Sequence, residues 1–120
     1  MTAIDVDGYL ARLGLPSSPA SAAAPGSHLV ADLATLRDLV ARHLVRVPFE
    51  NASVLRGEAI ILEPAALVAR LVGVRRGGFC YQLNGAFSAL LDALGYQVDR
   101  LAARFHGGSG MEPRFGHLAL

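Results

Sequence analysis

The strongest structural signal in the sequence is a helical repeat of apolar side chains that follows two consecutive glycines. Its members are Leu83, Ala86, Phe87, Leu90 and Leu94. This spacing places them on one face of an α-helix, which Gly95 can end because glycine tolerates the left-handed conformation. We therefore predict a buried central helix around which the other elements pack.

Three further helices are predicted before the central one. Residues 5–13 have acidic cap residues at one end and a glycine just beyond the other, and residues 64–73 run from a proline to a glycine. Between them, a longer helix carries an apolar stripe that we expect to face the core: Leu29, Leu33, Leu36, Val40 and Leu44. The segment 16–27 is rich in Pro, Ala and Ser and predicts a surface loop.

The C-terminal part of the chain has strand-like composition in residues 96–105 and 114–120, with a glycine-rich turn between them. One face of the last strand would carry Phe115, His117 and Ala119. Helices followed by strands indicate an α+β fold. Because an unpaired apolar strand edge tends to find a partner, we expect a further segment, another chain or a second copy to pair with residues 114–120.

Composition narrows the functional classes. Eleven Lys plus Arg against ten Asp plus Glu leave a net charge of +1, which provides no broad field for nucleic acid or an anionic membrane. No apolar run is long enough to span a bilayer, and the acidic N-terminus does not resemble a secretory signal. A single cysteine cannot form an internal disulfide and is typical of a reducing compartment, so we expect a cytoplasmic protein.

That single cysteine, Cys80, lies at the predicted start of the central helix, in the segment RRGGFCYQLN. A helix N-terminus favours the thiolate form of a cysteine. Gly77 and Gly78 permit close approach to the sulfur, and backbone N–H groups there could receive an oxyanion. From these residues alone, a cysteine that merely fills core space is an equally good interpretation.

A cysteine nucleophile needs a base, and the chain offers four histidines. His117 is the best candidate because a strand holds its side chain more firmly than a loop does. His43 lies beside the apolar stripe of its helix and is expected to be structural, whereas His106 begins a glycine turn and is expected to face solvent. His28 follows the predicted surface loop. A lone strand histidine is nevertheless more often packed than catalytic.

A second polar cluster, VPFEN, ends in Glu50 and Asn51. Arg76 precedes the double glycine, and a Glu50–Arg76 ion pair would fix the loop that carries the cysteine. Asn51 as a helix N-cap, with Glu50 in solvent, is an equally good alternative.

Three segments resemble the arylamine N-acetyltransferase family. RRGGFCYQLN is similar to that family's signature around the acetyl-accepting cysteine, VPFEN to its upstream segment, and GHLAL to the strand with its catalytic histidine. The resemblance implies an α+β protein of the papain-like cysteine-enzyme type. An N-terminal helical bundle, here residues 1–95, would be followed at residues 96–120 by the first strands of an incomplete β-barrel.

The resemblance also implies a reaction. Cys80 would accept acetyl from acetyl-CoA as a thioester, with His117 as its base, and an arylamine, arylhydroxylamine or arylhydrazine would then attack. Phe79 would line the substrate cleft, and no metal is implied. Support for the active-site loop would come from Arg76, Glu50, Asn51, Gly77 and Gly78.

One family feature has no counterpart. The family's third catalytic residue is an aspartate shortly after the histidine, and none follows His117 before Leu120. The resemblance therefore implies an incomplete triad and little activity for these 120 residues by themselves. Four interpretations stay open: an enzyme half that needs a complementing C-terminal chain, a truncated enzyme, an inactive module or subunit of the same ancestry, or another papain-like thiol enzyme such as a peptidase or transglutaminase.

Overall fold

A computed structural model describes residues 3–16, 28–107, 110–111 and 115–120. Within these ranges the helices are α1 (Val6–Arg12), α2 (Leu33–Arg46), α3 (Ala52–Leu55), α4 (Pro64–Val72) and α5 (Cys80–Ala93). The strands are β1 (Leu101–Ala103), β2 (His106–Gly107), β3 (Gly110–Met111) and β4 (His117–Ala119). The predicted surface loop lies outside the described residues, apart from Pro16.

Helix α5 forms the centre of the core, as its periodicity predicts. It buries Leu83, Ala86, Phe87, Leu90 and Leu91, and helices α1 and α4 pack against it. Helix α4 comes especially close: a Cβ atom added at Gly85 would lie 2.7 Å from Cδ1 of Leu67. A small residue is therefore needed in the middle of α5 where these two helices meet.

Local signals in the sequence explain where the helices begin and end. The Asp5 side chain accepts a hydrogen bond of 2.8 Å from the Gly8 N–H and caps α1, which ends before Gly14 at φ +76°. Asp32 caps α2 in the same way through the Thr35 N–H. Pro64 occupies the first turn of α4, where a proline ring costs no hydrogen bond.

The prediction that the apolar stripe of the second helix faces the core is only partly correct. Leu29 and Leu36 pack against the core, but Leu33 and Leu44 are 60% and 77% exposed. The residues that α2 buries are Leu39 and His43. The buried imidazole has a partner for its polar atom, since its Nε2 lies 2.8 Å from the Tyr9 hydroxyl of α1. This long-range hydrogen bond allows a polar residue on the buried face of α2.

The strands form two small antiparallel pairs that do not close into a barrel within the described ranges. In the first pair, β1 lies beside β4 with Ala103 opposite His117. In the second, β2 and β3 form a hairpin inside the predicted glycine-rich turn. The predicted domain boundary after residue 95 falls in the connection between α5 and β1 and stays a prediction.

The alternation predicted for the last strand does not extend back to Phe115. That residue has φ +60° and lies in a turn before β4, so its side chain does not continue the face formed by His117 and Ala119. A non-glycine residue in the left-handed region ends strand geometry locally, since extended backbone requires negative φ.

Candidate active site

Cys80 is the first residue of α5, as the sequence predicts, and its thiol is free and buried, with 8% of the residue exposed. Phe79 is the N-cap residue, in extended conformation. The Gln82 side chain reaches back one turn, and its Oε1 accepts a hydrogen bond of 3.2 Å from the Phe79 N–H. This bond stabilises the first turn of the helix directly at the cysteine.

The double glycine is required by close backbone packing. A Cβ atom at Gly77 would lie 1.8 Å from the Pro48 carbonyl oxygen, and one at Gly78 would lie 2.4 Å from Gln82 Oε1. The contact is a short parallel bridge in which the Gly78 N–H donates to Pro48 O at 3.3 Å and the Glu50 N–H donates to Gly78 O at 2.9 Å. The VPFEN segment therefore lies directly against the loop that leads to the thiol.

The expectation that backbone N–H groups of this loop receive an oxyanion is wrong for Gly78. Its N–H already donates to Pro48 O, and the next N–H, that of Phe79, is bonded to Gln82. Two donors ahead of the thiol thus have a structural role, because a donor that is already paired must break that bond to receive another acceptor.

The expected Glu50–Arg76 ion pair is present, at 3.0 Å between Oε1 and Nη2. Arg70 Nη2 lies 2.9 Å from the same oxygen, while the other carboxylate oxygen accepts from the Ala52 N–H at 2.8 Å. These contacts hold the pKa of Glu50 below its ordinary value, the Ala52 bond first and then those to Arg76 and Arg70. Glu50 is therefore an ionised link between α3 and the cysteine loop.

Arg70 and Ser53 belong to this network, and sequence analysis missed both. Arg70 Nε donates to Gly77 O at 2.7 Å, and its Nη2 donates to Ser53 Oγ at 3.0 Å. The Ser53 hydroxyl in turn donates to Glu58 at 2.6 Å. One signal pointed to Arg70, since it is the only charged residue in the otherwise apolar sequence of α4. Nothing comparable marked Ser53.

Asn51 and Phe79 were also predicted to belong to the site. Asn51 occupies the N-cap position of α3, is exposed and makes no capping hydrogen bond with its side chain. The Glu50 carboxylate receives the first N–H of that helix instead. Phe79 is half-buried beside the thiol, and its ring centroid lies 6.4 Å from that of Tyr81. The roles proposed for both residues stay predictions.

His117 is half-buried on β4, which packs against α5, so the candidate base and the thiol come from two elements in contact. The Phe105 ring packs beside the imidazole with 5.0 Å between ring centroids. His117 also lines a cavity of about 290 Å³ together with Asn84 and Phe87 of α5. The candidate base thus contacts a hydrophobic ring and borders a space that the cysteine helix also lines.

His43 and His106 occupy the environments that the sequence predicts for them. His43 is buried, and burial, followed by the charge of Arg12, lowers its pKa to about 4. His43 is therefore neutral near pH 7 and serves the core. His106 on β2 and His28 before α2 are both exposed.

The described residues contain neither a candidate metal site nor a membrane-spanning helix. Within residues 3–16, 28–107, 110–111 and 115–120, no group of three or more His, Cys, Asp or Glu side chains is arranged to hold a metal ion. No helix in the part of the chain that the structure describes is both long and apolar enough to cross a membrane.

Comparison with known proteins agrees with this geometry. A model of the N-acetyltransferase family matches residues 32–120, a range that includes the glycine loop, the thiol and the imidazole. The chain therefore belongs to the N-acetyltransferase family, and its fold is that of papain-like cysteine enzymes with an unclosed sheet.

Named relatives identify the branch of that family. Arylamine N-acetyltransferase of Mycolicibacterium smegmatis is 42% identical over 103 residues, which are 85% of this chain and 34% of the relative. The crystal structure of the Nocardia farcinica arylamine N-acetyltransferase matches 96% of this chain and 37% of its own at a TM-score of 0.75 and 39% identity. The resemblance to arylamine N-acetyltransferases is thereby confirmed, and the chain spans about a third of the length of these relatives.

Proposed function

We propose that the chain is the thiol-bearing N-terminal part of an arylamine N-acetyltransferase and that Cys80 carries the acetyl group. The observation that carries this proposal is the position of Cys80, at the first residue of α5 behind a loop anchored by VPFEN, within the family match. A helix N-terminus stabilises the negative charge that a nucleophilic sulfur must bear.

His117 acts as the general base in this proposal. It takes the thiol proton, and the Cys80 sulfur attacks the carbonyl carbon of acetyl-CoA. The bond between that carbon and the coenzyme's sulfur breaks, coenzyme A leaves with a proton from the imidazolium, and a thioester remains on Cys80. The amine nitrogen then attacks the thioester carbon and loses a proton to His117. The bond between that carbon and the Cys80 sulfur breaks, the acetylated amine leaves, and the proton passes from the imidazolium to the sulfur to restore the free thiol. Each half-reaction passes through the same sulfur, giving ping-pong kinetics.

The names of the relatives support the substrate classes. One solved relative, arylamine N-acetyltransferase of Mycobacterium marinum, is a complex with CoA and matches 95% of this chain at a TM-score of 0.77 and 36% identity. A Salmonella typhimurium relative, 42% identical over 69 residues, is named for both N-acetylation of arylamines and O-acetylation of N-hydroxyarylamines. We propose acetyl-CoA as donor, and arylamines, arylhydroxylamines or arylhydrazines as acceptors, in the cytoplasm.

Activity requires more than the 120 residues, in this proposal. The chain spans about a third of the length of its relatives, and in this proposal the aspartate that orients a triad imidazole comes from a complementing C-terminal portion or a partner chain. Exposed apolar side chains on the strand side of the fold offer a contact surface: Leu101, Phe105, Phe115 and Leu120. Without a complement, copies are expected to associate through residues 114–120.

Intact-protein mass spectrometry tests the proposal. The chain is incubated with acetyl-CoA, alone and with a purified C-terminal portion of the Mycolicibacterium smegmatis relative, and the modified residue is mapped by peptide mass. We expect acetylation of Cys80 with the complement and none in Cys80→Ala. Acetyl on other residues in both proteins, or an unmodified Cys80 with the complement bound, would rule out the proposed role of Cys80.

A second candidate is an inactive module or subunit of the same ancestry. The burial of Cys80 favours it, because an attacking thiol must meet its substrate. The two candidates differ in the complemented sample, where an inactive module binds the C-terminal portion but leaves Cys80 free of acetyl. A peptidase or transglutaminase is distinguished by the acyl donor, since such an enzyme would take its acyl group from an amide and leave acetyl-CoA intact.

A further inference from the structure

We propose that Tyr81 and Asn84 are positioning residues that fix His117 relative to Cys80. The inference rests on the proposed function. The Tyr81 hydroxyl donates a hydrogen bond of 2.5 Å to the Phe115 carbonyl, and Asn84 Nδ2 donates one of 2.6 Å to the Leu118 carbonyl. The two acceptors lie on either side of His117 in the chain, so the backbone that carries the imidazole is held before and after it.

Both donors come from the same part of α5 as the thiol. Tyr81 directly follows Cys80, and Asn84 is four residues beyond it, where a helix brings side chains to the same face. The first turn is itself held by the Gln82 bond to the Phe79 N–H. The two hydrogen bonds therefore fix the position of β4 relative to the turn of α5 that contains the nucleophile.

Backbone strain shows why the Tyr81 bond is needed. Phe115 has φ +60°, an unfavourable conformation for a residue with an aromatic side chain, and its side chain is 67% exposed. Burial of the ring therefore does not compensate for the strain. The hydrogen bond from Tyr81 to the carbonyl of this same residue holds the turn in place two residues before His117.

Pairing with β1 cannot replace these bonds. β1 lies beside β4, with Ala102 opposite Leu118, but Leu101 and Ala102 are themselves exposed. β1 therefore adds little burial to hold the pair in place. The side-chain bonds from α5 add directional contacts to the packing of β4 on the nucleophile's helix, and a small displacement of an imidazole from a thiol weakens proton transfer steeply.

The test uses the rate at which iodoacetamide alkylates Cys80 in the full chain bound to the C-terminal portion of the Mycolicibacterium smegmatis relative, measured from pH 5 to pH 9. His117→Gln first defines the part of the pH profile that depends on the imidazole. Tyr81→Phe removes one donor with little change of shape. Asn84→Asp removes the other but adds a carboxylate to the cavity that His117 lines, so Tyr81→Phe is the cleaner test. Tyr96→Phe is the matched control, since it removes a hydroxyl that donates to the Asp32 carbonyl at 2.8 Å, outside the site.

We expect the His117-dependent rate enhancement to fall about two- to tenfold in Tyr81→Phe and in Asn84→Asp, the range that corresponds to one lost hydrogen bond. The double variant should match His117→Gln, and Tyr96→Phe should match the wild type. Far-UV circular dichroism checks that each variant is folded. Tyr81→Phe decides the outcome if the aspartate variant unfolds, because it keeps the aromatic ring.

The results separate this inference from the function on which it rests. If His117→Gln has the wild-type profile, the imidazole does not act on the thiol and the proposed catalytic pair is wrong. If His117→Gln changes the profile while folded Tyr81→Phe and Asn84→Asp do not, the pair stands and the positioning role is overturned. A loss as large in Tyr96→Phe would also overturn it, since the effect would then be unspecific.

Discussion

Mild acid should destabilise the fold through His43, a residue with no part in the proposed reaction. Burial, and then the nearby charge of Arg12, lowers its pKa from 6.5 to about 4 in the folded chain. An unfolded chain returns the imidazole to its ordinary value and therefore binds more protons between these limits. The stabilising contribution is fully present above about pH 6.5 and is lost as the pH falls toward 4.

The size of the effect follows from the pKa difference. Each unit of pKa corresponds to about 1.4 kcal/mol, so the unfolding free energy should fall by about 2 kcal/mol between pH 7.5 and pH 5. Above pH 5 the ion-paired carboxylates do not interfere, because hydrogen bonds and arginines hold the pKa values of Glu50 and Glu58 below their ordinary range. We therefore assign the pH dependence of the unfolding free energy in this window to the buried imidazole of His43.

Urea unfolding followed by circular dichroism measures this slope. The comparison variant is Tyr9→Phe/His43→Leu, which removes both hydrogen-bonding partners and so leaves no buried polar atom without a bond. We expect the double variant to lose most of the pH dependence. His106→Gln, at an exposed position, should keep it. An unchanged slope in the double variant, or a slope lost in His106→Gln, would refute the assignment to His43.

Two predictions concern the cysteine loop. Gly77→Ala places a Cβ atom within 1.8 Å of the Pro48 carbonyl, so unfolding in urea should show a loss of about 3 kcal/mol, and a wild-type midpoint would contradict the close packing. Arg70→Met removes the bonds to Gly77 O and Glu50 and should cost about 2 kcal/mol. Arg56→Met, at an exposed position, should change stability by less than about 0.5 kcal/mol, and equal losses in the two arginine variants would argue against a special role for Arg70.

The sequence predicts elements whose signals are local. Capping side chains, terminal glycines and the apolar period are read within one helix, and α1, α4 and α5 lie where these signals place them. The buried face of α2 could not be predicted in this way. The hydrogen-bond partner of its buried His43 is Tyr9, 34 residues away. The spacing of leucines along α2 does not indicate that contact.

The candidate site shows the same difference between features with local sequence signals and features that depend on distant contacts. The position of Cys80 at a helix start was predicted from the glycines that adjoin it, while its proposed role as nucleophile came from the family resemblance. The Glu50–Arg76 pair was predicted from the expected pairing of opposite charges near one loop. Arg70 was missed because its function depends on the Gly77 carbonyl, and a backbone acceptor has no sequence signature. Tyr81 and Asn84 were missed for the same reason, since each donates to a backbone carbonyl 34 residues away, in β4 or in the turn before it.

The structural role of the two glycines changes how the cysteine motif is interpreted. Gly77 and Gly78 are required by the Pro48 carbonyl and the Gln82 side chain, and the N–H of Gly78 is already bonded within the fold. An inactive descendant that keeps the fold would therefore keep both glycines as well. What only a catalyst needs is the thiol of Cys80 together with an imidazole held beside it. For that reason, the bonds that orient the strand of His117 discriminate enzyme from inactive module more sharply than the glycine motif does.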